Sequence, residues 1–562
     1  MRLKPFAAAF LAVCLAGAAP VPAGSHGGSD VPAFSPDRFR AHVTFLADDL
    51  LEGRDTGSRG HEIAASYVAS QFIGLGLTPG GENGSWYEQV PFRSATLDGP
   101  VSLSISGPSG NHSFENGTDA IVGPSLAEEQ QDIVAPIVFA GHGIDAPAEG
   151  VDDYKGLDVR GKFVAILSGV PKGLPSEIAA HLGDDKGDAA ARHGAIGLIT
   201  LYVDPARPFA MRAGAIRRPS ISWVGKDGKE GRDAPGLRAS MILGGAAADA
   251  LFAGAPYTYS EIRTADAKDG HVRGFPLATT LHLARKSAWT SFTSPEVIGL
   301  LPGSDPKLRG EYVVLMGHLD HLGMRKDAKP GEDAIYNGAL DNAAGVATML
   351  EAAHAFAESG QRPRRSILFI ANTGEEKGLL GADYFAHYPT VPAGRIAAVV
   401  DLDMPLLLYH FTDVIAFGAG HSQVAETVAR AAGEMGVALS PDPMPEENIF
   451  VRSDHYEFVK QGIPAITLAT GFANGGAEKW KAFLRGAYHH PNDDLSQPID
   501  WESGARFAKL NYLISRDLAN ADHRPLWYKG DYFADLFAPD APRATPPARL
   551  AGGTANGSVS AR

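Results

Sequence analysis

Residues 313–323 read VVLMGHLDHLG, an apolar strand pattern that runs directly into glycine, histidine and aspartate. The same combination recurs downstream, where further apolar strand patterns lie at 367–371, 397–402 and 465–468. Amphipathic helical patterns alternate with them at 343–358, 379–387, 422–434 and 504–519. Strands that alternate with helices predict an α/β fold, with a mostly parallel sheet flanked by helices on both faces.

The ends of these strand patterns carry side chains that can bind a metal. In an open α/β sheet, ligands bind outside the carboxyl ends of the strands. The candidates, in chain order, are His318 and Asp320 in GHLDHLG, Asp341 in NGALDNAAG, Glu375 and Glu376 in TGEEKG, Asp403 in DLDM, and His489 in AYHHP. Because successive strand ends meet at one edge of a parallel sheet, we expect these residues to form one metal site.

The residue types indicate which metal and which chemistry. Two imidazoles and three carboxylates suit zinc, or a pair of zinc ions that share a bridging carboxylate. Two such ions can hold a water between them and clamp a developing oxyanion, and a carboxylate that is not a ligand must then take the proton of the water. Neighbouring glutamates at 375 and 376 can divide these two roles, since adjacent side chains leave a strand end in different directions.

The order His, Asp, Glu-Glu, Asp, His between about 290 and 520 resembles the M28 family of zinc-dependent metallopeptidases, the aminopeptidase class with two co-catalytic metals. The N-terminal stretches HVTFLA at 42–47 and LEGRDTG at 51–57 are similar to the opening of that family. The sequence departs from the family pattern at Leu340, which stands where a polar residue is usual, and at Asp401, which stands where asparagine is usual.

The resemblance implies a role for each candidate. It implies two zinc ions per chain, with the ligands His318, Asp341, Glu376, Asp403 and His489, and with Asp341 as the bridge. It implies that Glu375 is the general base, that Asp320 orients the imidazole of His318, and that the hydroxyl of Tyr488 stabilises the oxyanion. It also implies a cis peptide bond between Asp341 and Asn342.

Other residues near these motifs leave alternatives open. His321 and His490 are neighbours of proposed ligands and compete with them for the ligand role. The run Ser453-Asp454-His455 either lines a pocket near the metals or caps the helix that follows it.

The middle of the chain has a different sequence pattern, with short apolar strand patterns and many glycines. VFAGHGI at 138–144, Asp153-Tyr154 and Gly161-Lys162 resemble a protease-associated (PA) domain.

These patterns together predict how the chain is divided. We predict a signal peptide at 1–23, the N-terminal part of a peptidase domain at 24–115, a β-rich PA-like insertion at 116–275, the catalytic peptidase domain at 276–535 and a disordered tail at 536–562. The insertion supplies no candidate ligand, so we expect it to be dispensable for the chemistry.

Composition and the N-terminus limit where the protein acts and on what. The chain has 562 residues, with 50 Lys and Arg against 65 Asp and Glu, a net charge of −15 that argues against nucleic acid as a partner. Arg2 and Lys4 precede an apolar run at 6–19 and small-residue cleavage patterns, which predict a cleaved signal peptide. No later stretch is apolar enough to span a membrane. We expect a secreted or periplasmic bacterial protein, without disulfides because its single cysteine, Cys14, lies in the signal peptide.

The function that follows is a secreted zinc-dependent exopeptidase that removes N-terminal amino acids from peptides by metal-activated water attack. The alternatives are a glutaminyl cyclase-like single-zinc acyltransferase, which shares the fold, a carboxypeptidase and a non-catalytic peptide-binding protein. A carboxypeptidase needs a cation for the terminal carboxylate of its substrate, and Arg452 is the candidate in the sequence. A non-catalytic peptide-binding protein does not need a general base, so the presence of Glu375 argues against that alternative.

Overall fold

The computed structural model describes residues 31–202, 209, 214, 218–231 and 234–547. The predicted signal peptide lies outside these residues, and so does the tail beyond 547. Among the described residues, no helix combines the length and the apolar character that crossing a bilayer requires.

Helices and strands make up most of the described residues. The helices are Pro36–Leu46, Arg59–Gly74, Ser176–Asp184, Lys186–Arg192, Gly245–Leu251, Tyr259–Asp269, Ala344–Ser359, Leu380–His387, Val424–Glu434, His455–Lys460, Gly476–Gly486, Trp501–Asn520 and Tyr532–Phe537. The strands are Thr78–Pro79, Tyr87–Leu97, Ser102–Gly107, Gly110–Phe114, Ala120–Val122, Gln130–Phe139, Asp145–Ala146, Val151–Asp152, Phe163–Leu167, Gly197–Leu201, Ser220–Trp223, Ala239–Leu243, Phe275–Leu301, Tyr312–His318, Gly323–Met324, Ile335–Tyr336, Ser366–Asn372, Ile396–Asp401, Asp413–Phe417, Ala438–Ser440, Ala465–Thr470, Trp527–Tyr528 and Arg543–Ala544.

The central sheet is built around strand Tyr312–His318. This strand pairs in parallel with Ser366–Asn372 on one side and with Ile396–Asp401 on the other, and Ala465–Thr470 continues the parallel order. Antiparallel strands extend the sheet at both sides, as Phe275–Leu301 does next to Ser366–Asn372. The α/β fold with a mostly parallel central sheet is therefore confirmed, and the four predicted strands differ from the observed ones by at most two residues at either end.

Burial explains why these segments form strands. Residues 367–371 are all 0% exposed, so side chains that point to both faces of the sheet are covered. A strand buried on both faces reads as a continuous apolar run, which is the pattern of the sequence in this segment. On one face, helices Ala344–Ser359 and Trp501–Asn520 pack against each other and against the central strand, and helix Pro36–Leu46 packs against both. Helices Leu380–His387 and His455–Lys460 form a second packed group.

The middle of the chain forms a second hydrophobic core. Strands Gln130–Phe139, Phe163–Leu167, Gly197–Leu201 and Ala239–Leu243 lie side by side in parallel. The core also contains Leu103 and Ile105, so it begins before the predicted boundary at 116. The long strand Phe275–Leu301 joins the two cores, because its first half pairs with the insertion and its second half with the catalytic sheet. The insertion thus ends within a strand that continues past 275.

The insertion also contacts the catalytic part of the chain through helix Ser176–Asp184. His181 on this helix lies among the rings of Tyr456, Tyr532, Phe533 and Phe537, and its Nδ1 is 2.8 Å from the hydroxyl of Tyr456. This packing argues against the expectation that the insertion is dispensable for the chemistry. Removing the insertion would expose aromatic side chains of the catalytic part. The tail differs from its prediction too, since helix Tyr532–Phe537 crosses residue 536 and Arg543–Ala544 pairs with Trp527–Tyr528.

Candidate metal centre

The predicted ligands meet at the carboxyl edge of the parallel strands. His318 is the last residue of strand Tyr312–His318, Glu375 and Glu376 follow strand Ser366–Asn372, and Asp403 follows strand Ile396–Asp401. Asp341 and His489 are not at strand ends. Asp341 precedes helix Ala344–Ser359, and His489 follows helix Gly476–Gly486. The peptide bond between Asp341 and Asn342 is cis, as the family resemblance implies.

Three donors form a first cluster around His318. Its Nε2 lies 3.2 Å from Oδ1 of Asp341 and 3.3 Å from Oδ1 of Asp403. His318 is 1% exposed, and one ligand atom from each of the three residues lies within 4.8 Å of the others. One imidazole and two carboxylates at this spacing can hold one divalent metal ion.

A second cluster uses the other oxygen of Asp341. Nε2 of His489 lies 3.2 Å from Oδ2 of Asp341 and 3.4 Å from Oε2 of Glu376. Asp341 therefore presents Oδ1 to the first cluster and Oδ2 to the second, which is the arrangement of a bridging carboxylate.

The buried His321 also faces the second cluster. Its Nδ1 lies 2.6 Å from Oε1 of Glu376 without the alignment of a hydrogen bond, and 3.9 Å from Oδ2 of Asp341. Burial lowers the pKa of His321 to about 4, so the ring is neutral, as a metal ligand must be. The competing His490 is exposed, and its Nδ1 lies 2.8 Å from the carbonyl of Tyr488. The structure therefore brings His321 to the cluster as well as His489, and leaves His490 outside it.

The electrostatics of the site fit a bound cation. Burial, together with the charge of Asp341, raises the pKa of Glu376 to about 8, and burial raises the pKa of Glu375 well above its usual range. Within the described residues, Oε1 of Glu376 and both ring nitrogens of His321 are buried without a hydrogen-bond partner. Buried carboxylates at this density need a compensating positive charge, and the oxygen and imidazole donors are those that zinc prefers.

Asp320 acts on its neighbours in a different way from the one expected. Nδ1 of His318 lies 3.0 Å from the backbone carbonyl of Asp320 but 4.0 Å from its carboxylate, so the carbonyl holds the ring. The carboxylate instead accepts a hydrogen bond from the hydroxyl of Thr56 at 2.7 Å and one from the backbone N–H of Glu375 at 3.3 Å. Asp320 thus links His318, Glu375 and the N-terminal segment that carries Thr56.

Arg54, in the LEGRDTG motif, has a role at the site that the sequence pattern did not reveal. It is 1% exposed, and its guanidinium donates to the carbonyls of Leu319 at 2.9 Å, Asn337 at 2.6 Å and Gly338 at 3.1 Å, and also to that of Leu46. One buried cation therefore joins the loop after His318 to the loop before Asp341. Its charge also lies close enough to interact with the site carboxylates.

We expect Arg54→Met to destabilise the protein by more than about 3 kcal/mol and to lower its zinc content, because several buried carbonyls lose their donor. Arg54→Lys keeps the charge but cannot reach all four carbonyls, so it should fall between Met and the wild type. Thermal unfolding and elemental analysis on the same samples measure both effects. Wild-type zinc content and stability in Arg54→Met would show that the guanidinium does not organise the site.

Ser453 settles one open alternative. Its hydroxyl lies 2.9 Å from Oδ2 of Asp403 and 2.6 Å from Oδ2 of Asp401, and Ser453 lines the cavity above the ligands. Asp454 is the N-cap residue of helix His455–Lys460, but no side chain caps this helix. The pocket interpretation of the Ser-Asp-His run is therefore confirmed for Ser453, and the capping interpretation is wrong.

A cavity of about 630 Å³ opens over the proposed ligands. Asp341, Glu375, Asp403 and His489 line its floor, and Tyr488 lies beside them. The ring of Tyr488 stacks on that of His489 with a centroid distance of 3.9 Å. Burial and the neighbouring carboxylates raise the pKa of Tyr488, so its hydroxyl stays protonated and can donate a hydrogen bond.

Comparison with known proteins finds one matching family and several relatives. Residues 296–514 match the sequence profile of Peptidase family M28. A probable zinc metalloprotease of Pyrenophora teres f. teres is 37% identical over 108 residues, which cover 19% of this chain and 22% of that protein. Leupeptin-inactivating enzyme 1 of Streptomyces exfoliatus is 27% identical over 295 residues, which cover 50% of this chain and 60% of that protein. The matched part of this chain thus spans less than two thirds of either relative.

One solved structure shares most of the chain's length. The aminopeptidase from Aneurinibacillus sp. strain AM-1 is 20% identical, covers 87% of this chain and 94% of its own, and superposes with a TM-score of 0.48.

Proposed function

From the premise that this chain carries a domain of peptidase family M28 at residues 296–514, we propose that it is an exopeptidase that binds two zinc ions and removes N-terminal amino acids from peptides. The observation that carries the proposal is the pair of donor clusters that share Asp341. His318 and Asp403 would complete one zinc site, and Glu376 and His489 the other. When bound, the zinc ions would supply Lewis-acid polarisation of the scissile carbonyl and would acidify the attacking water.

Glu375 is the residue of this chain that would move the proton. It lines the cavity beside the ligands, and its backbone N–H is held by the carboxylate of Asp320. Its carboxylate could take a proton from the attacking water, and the same carboxyl could then give that proton to the amine that leaves. Glu376, its neighbour, faces Asp341 and His489 and would bind metal instead.

The cavity supports an exopeptidase that acts at the N-terminus of a peptide over the alternatives. Its volume is of the size that holds a small ligand, and its floor is acidic, which suits the positive N-terminal amine of a peptide. The carboxypeptidase candidate Arg452 lines the cavity but already has a partner there, because its Nη1 donates to the carbonyl of Glu447 at 3.0 Å and lies 3.6 Å from the carboxylate of the same residue. A single-zinc acyltransferase would leave one of the two clusters without a use. The sequence pattern at 1–23 supports secretion or a periplasmic location.

The activity is tested with aminoacyl chromogenic substrates and with the same substrates blocked at the amine by acetylation. Zinc-loaded protein should cleave the free forms and leave the acetylated forms intact, and a chelator should abolish cleavage until zinc is restored. Cleavage of the acetylated forms, or hydrolysis unaffected by removal of zinc, would contradict the proposal.

Tyr488→Phe should lower kcat by about 10²–10³-fold with little change in KM. Tyr488 lines the cavity and its ring stacks on that of His489, and from there a protonated phenol could donate to the oxyanion as charge develops. An interaction made only in the transition state affects kcat rather than KM. Steady-state kinetics and zinc analysis of Tyr488→Phe test this, and an unchanged kcat would assign Tyr488 to packing alone.

A further inference from the structure

Helix Gly476–Gly486 presents two cations to the catalytic cavity. Lys481 and Arg485 both line it, together with Trp480 and Leu484 from the same helix. Residues four apart lie on one face of a helix, about 6 Å from each other along the axis. The chain then continues directly to Tyr488 and His489, so this helix face is fixed relative to the proposed metal centre.

These two cations differ from the third one in the cavity wall, Arg452. Arg452 donates to the carbonyl of Glu447 and lies 3.6 Å from the carboxylate of the same residue. In the part of the chain that the structure describes, Lys481 and Arg485 take part in no ion pair within 4.0 Å. Both are exposed, so a ligand that enters the cavity can reach them.

The proposed metal site and helix Gly476–Gly486 contribute opposite charges to the cavity. Asp341, Glu375 and Asp403 belong to the site, and Glu446 and Glu447 add further carboxylates to the lining, whereas the helix adds Lys481 and Arg485. A short peptide has the complementary division, with a positive amine at one end and a negative carboxylate at the other. The amine belongs beside the acidic floor, because placing it near Lys481 and Arg485 would set like charges together.

The size of the cavity limits how long a bound peptide can be. Its volume of about 630 Å³ is that of a site for a small ligand, so we expect a short peptide to place its C-terminal carboxylate within the cavity.

We propose that Lys481 and Arg485 bind the C-terminal carboxylate of short peptides, so that the preferred substrates are short peptides with a free carboxyl terminus. This inference rests on the proposed function and narrows its substrate class. Arginine is suited to the task because its planar guanidinium can bind both oxygens of a carboxylate.

The test compares Leu-Leu with Leu-Leu-amide, which lacks only the terminal carboxylate, in zinc-loaded full-length protein. The wild type should cleave Leu-Leu with a kcat/KM about tenfold higher, mostly through KM, since the contact is made in the ground state as well. In Lys481→Gln/Arg485→Gln this preference should vanish, while kcat/KM for the amide stays unchanged. Lys479→Gln is the matched control, because Lys479 is an exposed lysine of the same helix outside the cavity lining, and it should keep the preference.

Three results would overturn the inference. The wild type could cleave the acid and the amide equally well, or the double variant could retain the preference. A preference for Leu-Glu-amide over Leu-Leu-amide that depends on the two cations, without one for Leu-Leu, would assign them to an acidic side chain instead. Failure to cleave any of these peptides is a different outcome, because it would overturn the proposed function and this inference with it.

Discussion

Glu375→Gln is expected to lower kcat by about 10²–10⁴-fold or more, while the zinc content stays at the wild-type level. The substitution keeps the size and shape of the side chain but removes its ability to take a proton. Glu375 lines the cavity beside Asp341 and Asp403, whereas it is Glu376 whose carboxylate lies within 4.0 Å of His321 and His489. Turnover with aminoacyl substrates and elemental analysis of the same preparation measure the two quantities.

The matched control for this experiment is the neighbouring residue. Glu376→Gln should lose zinc from the second cluster, because Oε1 and Oε2 of Glu376 face His321 and His489 respectively. Zinc loss in Glu375→Gln combined with full zinc in Glu376→Gln would mean that the roles of the two glutamates are reversed.

Asp341→Asn should have the largest effect on metal binding and should reduce activity below detection. Asp341 contacts donors of both clusters, with Oδ1 near His318 and Oδ2 near His489, so one change weakens both sites. Asparagine has nearly the same shape but offers one carbonyl oxygen without charge. Zinc content per chain after dialysis measures the loss.

Asp403→Asn is the control for the bridging role. In the described clusters, the histidine that Asp403 contacts is His318 of the first cluster. The variant should therefore lose zinc from the first cluster and keep zinc in the second. Equal zinc content in Asp341→Asn and Asp403→Asn would contradict a bridge at Asp341.

The sheet and its ligand edge could be predicted from the sequence because both follow from local patterns. Strands buried on both faces are continuous apolar runs such as 367–371, and the residues that follow parallel strands share one edge. The positions of Glu375, Glu376 and Asp403 follow from this rule. Asp341 and His489 do not end a strand but lie in segments that follow one, so the strand-end rule grouped them with the site less directly, and the family resemblance supplied their roles.

The contacts that support the ligands could not be predicted, because they join residues far apart in the chain. Arg54 donates hydrogen bonds to the backbone carbonyls of Leu319 and Gly338. Every residue has a backbone carbonyl, so the sequence does not indicate which ones a side chain contacts. The same holds for Asp320, whose carboxylate turns toward Thr56 rather than His318. His321 was recognised only as a competitor, since spacing alone does not say which histidine faces Glu376.

The boundaries of the insertion were missed for a related reason. Strand Phe275–Leu301 is long enough to serve both hydrophobic cores, so no break in pattern marks where one ends and the other begins. Lys481 and Arg485 were missed because helix Gly476–Gly486 was not predicted. Without that helix, nothing in the sequence places the two cations on one face beside His489.

The central claim is that one carboxylate, Asp341, joins two zinc sites. The most direct test is the number of zinc ions per chain in wild-type protein, measured by elemental analysis after loading with zinc and dialysis against metal-free buffer. The account predicts two zinc ions per chain, both removed by a chelator together with the activity. One zinc ion per chain, or none, would contradict it.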